Sequence, residues 1–124
     1  MFEDSNVRKA VITKVVDGDT FEADVSLGYG ISANLRFRIY GINTPEVFGP
    51  EKVRGIVSKE FVVKQFLNKE VFIADKGLDS FRRNLADVYY DSNGVQANLG
   101  ELLCTEGLAE HKIYKWLEIR KNEI

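Results

Sequence analysis

From Thr20 onward the chain alternates: Phe21, Ala23, Val25 and Leu27 share one face, with Glu22, Asp24 and Ser26 on the other. That period of two predicts a strand with one side turned to a core. Leu35, Phe37 and Ile39 repeat the pattern against Arg36 and Arg38, within a strand predicted over 31–40. Between the two, Gly28 and Gly30 flank Tyr29 and signal a turn. Residues 8–16 are apolar and β-branched enough for an earlier strand, closed by Asp17-Gly18, so the first third of the chain reads as a three-stranded meander.

The period then changes. Residues 56–68 predict a helix with Val62, Val63, Phe66 and Leu67 as its apolar stripe and Lys59, Glu60 and Lys64 outward. The stretch 47–55 before it carries Gly49, Pro50 and Gly55 and reads mostly as a loop over one face. Residues 70–75 and 85–90 predict a fourth and a fifth strand; Lys76-Gly77 ends the fourth, and a polar, basic stretch separates the two. Asp91-Ser92-Asn93-Gly94 is a hairpin signal, because Asn-Gly supplies two residues that tolerate positive φ. Asn98, with Glu101 three positions on, predicts a capped short helix that buries Leu99, Leu102 and Leu103 and stops at Gly107. The charged tail 116–124 could hold two helical turns.

Five strands with a helix between the third and fourth match the order of a mainly β (α+β) oligonucleotide/oligosaccharide-binding barrel, a five-stranded Greek key with two to three helices. A different small α+β sheet would carry the same pattern. The length, 124 residues, fits a single domain spanning 1–124 with its own core.

Composition narrows the function classes. Hydrophobic residues at 44% and charged residues at 29% describe an ordinary globular chain. The acidic start Met-Phe-Glu-Asp has no apolar segment resembling a secretory signal, and no run approaches membrane-spanning length. The expectation is a cytoplasmic protein without membrane contact, or one from which a leader has been removed. The single Cys104 lies among Leu102 and Leu103 and reads as packing, and the single His111 excludes mechanisms built on paired histidines. A net charge of −2 argues against bulk electrostatic attachment to nucleic acid, so a nucleic-acid role has to be local.

Local groups for such a role are present. Asp17-Gly18-Asp19-Thr20 sets two carboxylates at a turn, hard oxygen donors that suit Ca²⁺ or Mg²⁺, although Asp-Gly is also a common turn dipeptide. Asn43-Thr44-Pro45-Glu46 offers an amide oxygen, a carbonyl and a carboxylate on a stiff turn, or simply a polar turn with a solvated glutamate. Arg38 and Arg83 are planar donors suited to bidentate contact with phosphate, though each alone reads as an ordinary surface charge. Tyr114 and Trp116 alone read as packing.

The combination is more specific than its parts. Asp-Gly-Asp-Thr, an arginine, Asn-Thr-Pro-Glu five residues after it, Arg-Arg-Asn-Leu-Ala and then Gly-Leu-Ala together resemble the staphylococcal-nuclease-like (thermonuclease) family over about 15–108. The Leu27–Ile31 hairpin is similar to intracellular bacterial and phage members. The resemblance implies a five-stranded barrel with three helices and Ca²⁺-dependent cleavage of DNA and RNA, single strands favoured, to 3′-phosphate ends. It implies Arg38 and Arg83 as phosphate-gripping catalytic residues and Glu46 as the general base. Phe81, Arg82 and Tyr114 become the substrate-binding candidates. Asp19, Asn43 and Thr44 become metal ligands, Thr44 through its carbonyl, with Asp17 in the outer shell.

Two residues depart from the family pattern. Asn43 stands where a second calcium-binding aspartate is common, which predicts weak ion binding, and Phe81 replaces a phosphate-bonding tyrosine. The C-terminus is also shorter than in typical members, which predicts a last helix reduced or absent. The competing class is an inactive barrel that binds single-stranded nucleic acid or a protein partner, and in either class the chain is expected to be a monomer.

Overall fold

The computed structural model describes residues 7–112; Tyr114, Trp116 and the tail predicted as two helical turns lie outside the described residues. The elements run β1 (Val7–Asp17), β2 (Thr20–Gly28), β3 (Ile31–Ile39), β4 (Ile42–Asn43), α1 (Lys52–Phe66), β5 (Glu70–Leu78), β6 (Asn84–Ser92), β7 (Val95–Asn98), α2 (Leu99–Thr105) and β8 (Glu110–His111).

Strands β3, β2, β1, β5 and β6 follow one another as antiparallel neighbours, and β6 returns to β3 in a parallel pairing. That last pairing closes a five-stranded barrel through only three rungs, Phe37 with Asn84, Arg38 with Leu85 and Ile39 with Ala86. Closure removes the exposed edges that an open sheet would leave at these rungs. Inward residues follow the alternation: Phe21, Ala23, Val25, Phe37 and Ile39 are buried, and the Phe21 and Phe37 rings meet at 5.8 Å. Beyond the wall the same alternation runs out into solvent, so Leu27 and Leu35 keep their face but are exposed.

Two expectations need correction. Residues 47–55 are not mostly loop: a 3₁₀ turn covers Gly49–Glu51 and α1 already begins at Lys52. Pro50 sits in the first turn, where its missing N–H has no intrahelical partner to lose, so it starts the helical segment rather than preventing it. Gly55 lies inside α1 because the helix presses on the preceding turn there. The fourth strand likewise does not stop at Lys76-Gly77 but crosses them through a register shift between Asp75 and Leu78. The two-residue strands β4 and β8, which pair with each other, carry no sequence signal of this length.

The helices fill the barrel ends. Val62 and Phe66 of α1 and Leu99 and Leu103 of α2 enter the common core. The predicted cap of α2 is present, with Asn98 Oδ1 accepting from Glu101 N–H at 3.0 Å. Its C-terminal end closes with Leu108 N–H on Leu103 O at 2.9 Å and Gly107 N–H on Cys104 O at 3.1 Å. Gly107, at φ 73°, allows that reversal. Leu108 O then accepts from Ser58 Oγ of α1 at 2.8 Å, locking the two helices to each other beside the Glu46 turn.

Candidate phosphate and metal site

Arg38 is the centre of the site. It sits on the middle closing rung of the barrel, and only 11% of its side chain is exposed. Its Nη1 lies 3.3 Å from Asp19 Oδ2, and its Nη2 donates to Asn43 Oδ1 and, at 3.5 Å, to Ile42 O. Asp19 is itself buried; its Oδ2 accepts from Thr44 N–H and its Oδ1 from Thr20 Oγ1, both at 3.0 Å. A buried charge pair of this kind persists because hydrogen bonds satisfy its remaining lone pairs. Asp17, Asp19, Arg38, Asn43 and Thr44 therefore form one continuous cluster.

The turn between β1 and β2 is pressed into it. A Cβ on Gly18 would stand 2.8 Å from Thr44 Cγ2 and 2.9 Å from Ser58 Cβ, so only glycine lets the acidic turn approach this closely. Three buried polar atoms have no hydrogen-bond partner among the described residues: Asp17 Oδ1, Arg38 Nε and Thr44 Oγ1. Unpaired polar atoms grouped at one place mark somewhere built to meet something else.

The two acids differ in how readily each holds a proton. Burial, then the hydrogen bond and the negative charge of Asp19, push the Asp17 carboxyl up to about 7. For Asp19, burial acts upward, but the Asp17 hydrogen bond, the Thr44 N–H and the Arg38 charge outweigh it and hold the group below the usual carboxylate range. A proton on this pair is thus favoured on Asp17 over Asp19, the acid that faces Arg38. The donors present are hard oxygens, from Asp17, Asp19, Asn43 and Thr44, which is the chemistry a hard divalent cation takes. The set is sparse: no group of three or more His, Cys, Asp or Glu in ligating arrangement occurs among the described residues. Asn43 Oδ1 is turned to Arg38.

Arg83 reaches the same neighbourhood by a different route. Arg36, Arg38, Arg82 and Arg83 line one cleft of about 250 Å³ with Thr20, Phe37 and Asn84. The loop carrying Arg83 is organised by Asp79, which accepts from Phe81 N–H at 2.8 Å, Arg83 N–H at 2.9 Å and Arg83 Nε at 2.6 Å. Desolvation opposes the Asp79 charge, but these hydrogen bonds prevail and lower its pKa. Arg82, at φ 63°, donates its N–H to Asp79 O, and Asn84 Nδ2 ties the loop's end to Arg36 O at 3.2 Å. Phe81 is 78% exposed, with the Arg83 guanidinium 5.4 Å from its ring centre.

Glu46 faces the adjoining cleft, lined also by Asn43, Thr44, Arg54 and Leu108. Asn43 belongs to both places, bonded to Arg38 on one side and lining the Glu46 cleft on the other. The structure thus brings Arg38, Arg83 and Arg82 to one cleft and Glu46 to its neighbour, with Phe81 exposed beside Arg83.

Sequence reasoning missed the organising role of Asp79, although an aspartate two residues before a turn N–H is a recognisable Asx-turn signal. It also missed Lys112. Burial, then repulsion by Arg38 and Arg83, lowers the Lys112 pKa. Its backbone N–H reaches Gly41 O at 2.7 Å, a fold-level contact with no local pattern behind it.

No curated protein matches the chain. A family profile described as staphylococcal nuclease homologue matches residues 36–124, which takes in Arg38, Asn43, Glu46 and Arg83 and begins after Asp19. That match covers well over half of the chain, and the closed barrel agrees with it. The chain belongs to the staphylococcal nuclease homologue family.

Proposed function

We propose that the chain is a calcium-dependent phosphodiesterase that cleaves DNA and RNA, preferring single strands, and leaves 3′-phosphate ends. The observation that carries this reading is the pair Arg38 and Arg83 lining one cleft, with Asn43 linking it to the cleft of Glu46. Two guanidinium groups around a space of about 250 Å³ suit a phosphodiester, whose non-bridging oxygens each accept from a planar donor.

Arg38 lines the cleft with its guanidinium braced by Asp19 and Asn43, and Arg83 offers the side of its guanidinium turned away from Asp79. Glu46, exposed at the mouth of its cleft, takes a proton from water as the oxygen attacks phosphorus in line with the departing 5′-oxygen. The arginines neutralise charge gathering on the phosphoryl oxygens, usually a larger contribution than the proton transfer. Asp19, Asn43 and the Thr44 carbonyl would hold Ca²⁺, with Asp17 behind them. When bound, the ion supplies additional positive charge beside the phosphate.

Binding without turnover is the competing reading. It is favoured by the Arg38–Asn43 bond, which occupies the amide oxygen an ion would need. Incubating heat-denatured DNA, and separately RNA, with Ca²⁺, with Mg²⁺ and with chelator distinguishes the two. Calcium-dependent loss of polymer with new 3′-phosphate ends supports the enzyme. Retention of intact polymer by the protein under all three conditions identifies the binder.

A further inference from the structure

The outer part of the β2–β3 hairpin pairs with nothing but itself among the described residues. β1 joins β2 only as far as Ala10 with Val25, and β6 joins β3 only over Phe37–Ile39. Beyond those rungs Ser26–Gly28 and Ile31–Ser32 extend as an arm past the barrel wall, and from Ala33 to Arg36 β3 has a strand partner, β2, on one side only. The arm and this edge are apolar where they should be polar: Leu27, Ile31 and Leu35 are exposed on them, and Tyr29 at the arm's tip is fully exposed. Isolated hairpins are marginal in water, and natural edges are protected by charge, proline or bulges. The outer edge from Ile31 to Leu35 carries neither charge nor proline, and the one irregularity in this hairpin, between Ser26 and Gly28, is on the β2 side and leaves the β3 edge continuous.

The direction of the edge's hydrogen-bonding groups follows from three contacts. Arg36 O and Tyr40 N–H turn toward β6, where they meet Asn84 and Ala86, whereas Ile39 N–H turns back to Asp19 O. Even-numbered residues of β3 therefore present N–H and C=O outward, so Ser32 and Asn34 are the exposed rungs. Asn34 does not obstruct them, because its side chain is held across the outer face of the sheet by Asp24 and Thr13.

We propose that this edge is a self-association surface, on which a second copy of the chain adds its own β3 antiparallel about a twofold axis at Ala33. That register is self-complementary. Ser32 of each copy faces Asn34 of the other, and the two residues exchange both backbone hydrogen bonds. Ala33 meets Ala33 at the close, non-hydrogen-bonded position, where opposing Cα atoms stand about 4.5 Å apart and a small side chain is required. Ile31 of each copy faces Leu35 of the other on the apolar side, so the exposed surface is covered by its own kind. No charged residue lies in the five-residue repeat, and the chain's net charge of −2 opposes pairing weakly. Such an isologous contact closes on itself and makes a dimer rather than a filament.

Arg38 lies five residues from Ala33, about 17 Å along an antiparallel strand, while Arg36, three residues from Ala33, lines the same cleft. The inference is independent of the reaction proposed above, and it differs from the monomer expected from sequence.

Sedimentation velocity on the full chain over a wide concentration series tests it. The expected result is a reversible doubling of mass that is lost in Ser32→Pro, which removes an outward N–H but none of the β2–β3 bonds. A wild-type chain that stays monomeric throughout, or a folded Ser32→Pro variant that still dimerises, overturns the proposal. A second variant decides the matter should Ser32→Pro fail to fold. Ala33→Cys in a Cys104→Ser background places two thiols across the axis at disulfide distance. Oxidation should convert it to a covalent dimer with unchanged far-ultraviolet dichroism, and no crosslink at concentrations where the wild type dimerises counts against the axis.

Discussion

The backbone carbonyl of Glu46 occupies the place a side chain on Gly55 would need: a Cβ there would stand 1.9 Å from Glu46 O and 2.8 Å from Val47 N. Helix α1 thus buttresses the turn that carries the proposed base, and it does so with backbone on both sides, so neither can yield by changing a rotamer. Gly55→Ala should force helix and turn apart, costing about 1–3 kcal/mol as overpacking does. Urea denaturation reads that loss. Turnover should fall with it while oligonucleotide affinity, which depends on the arginines, changes little.

Glu46 itself is exposed. Glu46→Gln keeps its shape and removes its basicity, so melting should be unchanged while the cleavage rate drops by about 10²–10⁴-fold. Comparable initial rates for variant and wild type on denatured DNA would take Glu46 out of the mechanism.

Asp79 gives a pH-dependent signature. Its carboxyl is held below the ordinary carboxylate range against the pull of desolvation, by hydrogen bonds from the Arg83 and Phe81 backbone and the Arg83 side chain. A carboxylate with a depressed folded pKa stabilises the protein above its ordinary pKa, and this contribution disappears as pH falls through the folded value. Wild type should therefore exceed Asp79→Asn in stability at neutral pH, and the two urea midpoints should converge as the solution is acidified. At neutral pH the same variant should bind an oligonucleotide roughly tenfold more weakly, equivalent to one charge-assisted hydrogen bond no longer orienting Arg83.

Asn43→Asp adds one negative charge to a donor set that has only two carboxylates. Calcium affinity rises with ligand charge, so calorimetric titration should show several-fold tighter Ca²⁺ binding. The added carboxylate would also pair with Arg38, so melting temperature without calcium should rise rather than fall. Unchanged calcium affinity would remove position 43 from the proposed ion site.

The barrel was legible because its strands alternate cleanly: Phe21, Ala23 and Val25 against Phe37 and Ile39 could face only one interior. The start of α1 was obscured by Pro50 and Gly55. One is tolerated in a first turn, and the other is demanded by the Glu46 carbonyl, a close approach between segments that no local pattern encodes. The meeting of Arg38 with Arg83 was recoverable only through family motifs, since 45 positions separate them and barrel closure alone makes them neighbours. The Asn43–Arg38 bond and the approach of Lys112 were not legible at all. Both depend on β4 pairing with β8, a ladder of two rungs between residues almost seventy positions apart.

That barrel closure has a consequence for how the protein should fail. Arg38 is the middle of the three rungs joining β3 to β6, and Arg83 directly precedes the first residue of β6. Parting of this short seam would carry both guanidinium groups away from each other while the long antiparallel ladders stayed zipped. Warming should therefore rob the molecule of its hold on phosphate several degrees before it loses its shape, and a disulfide stitched across the seam should bring those two temperatures together.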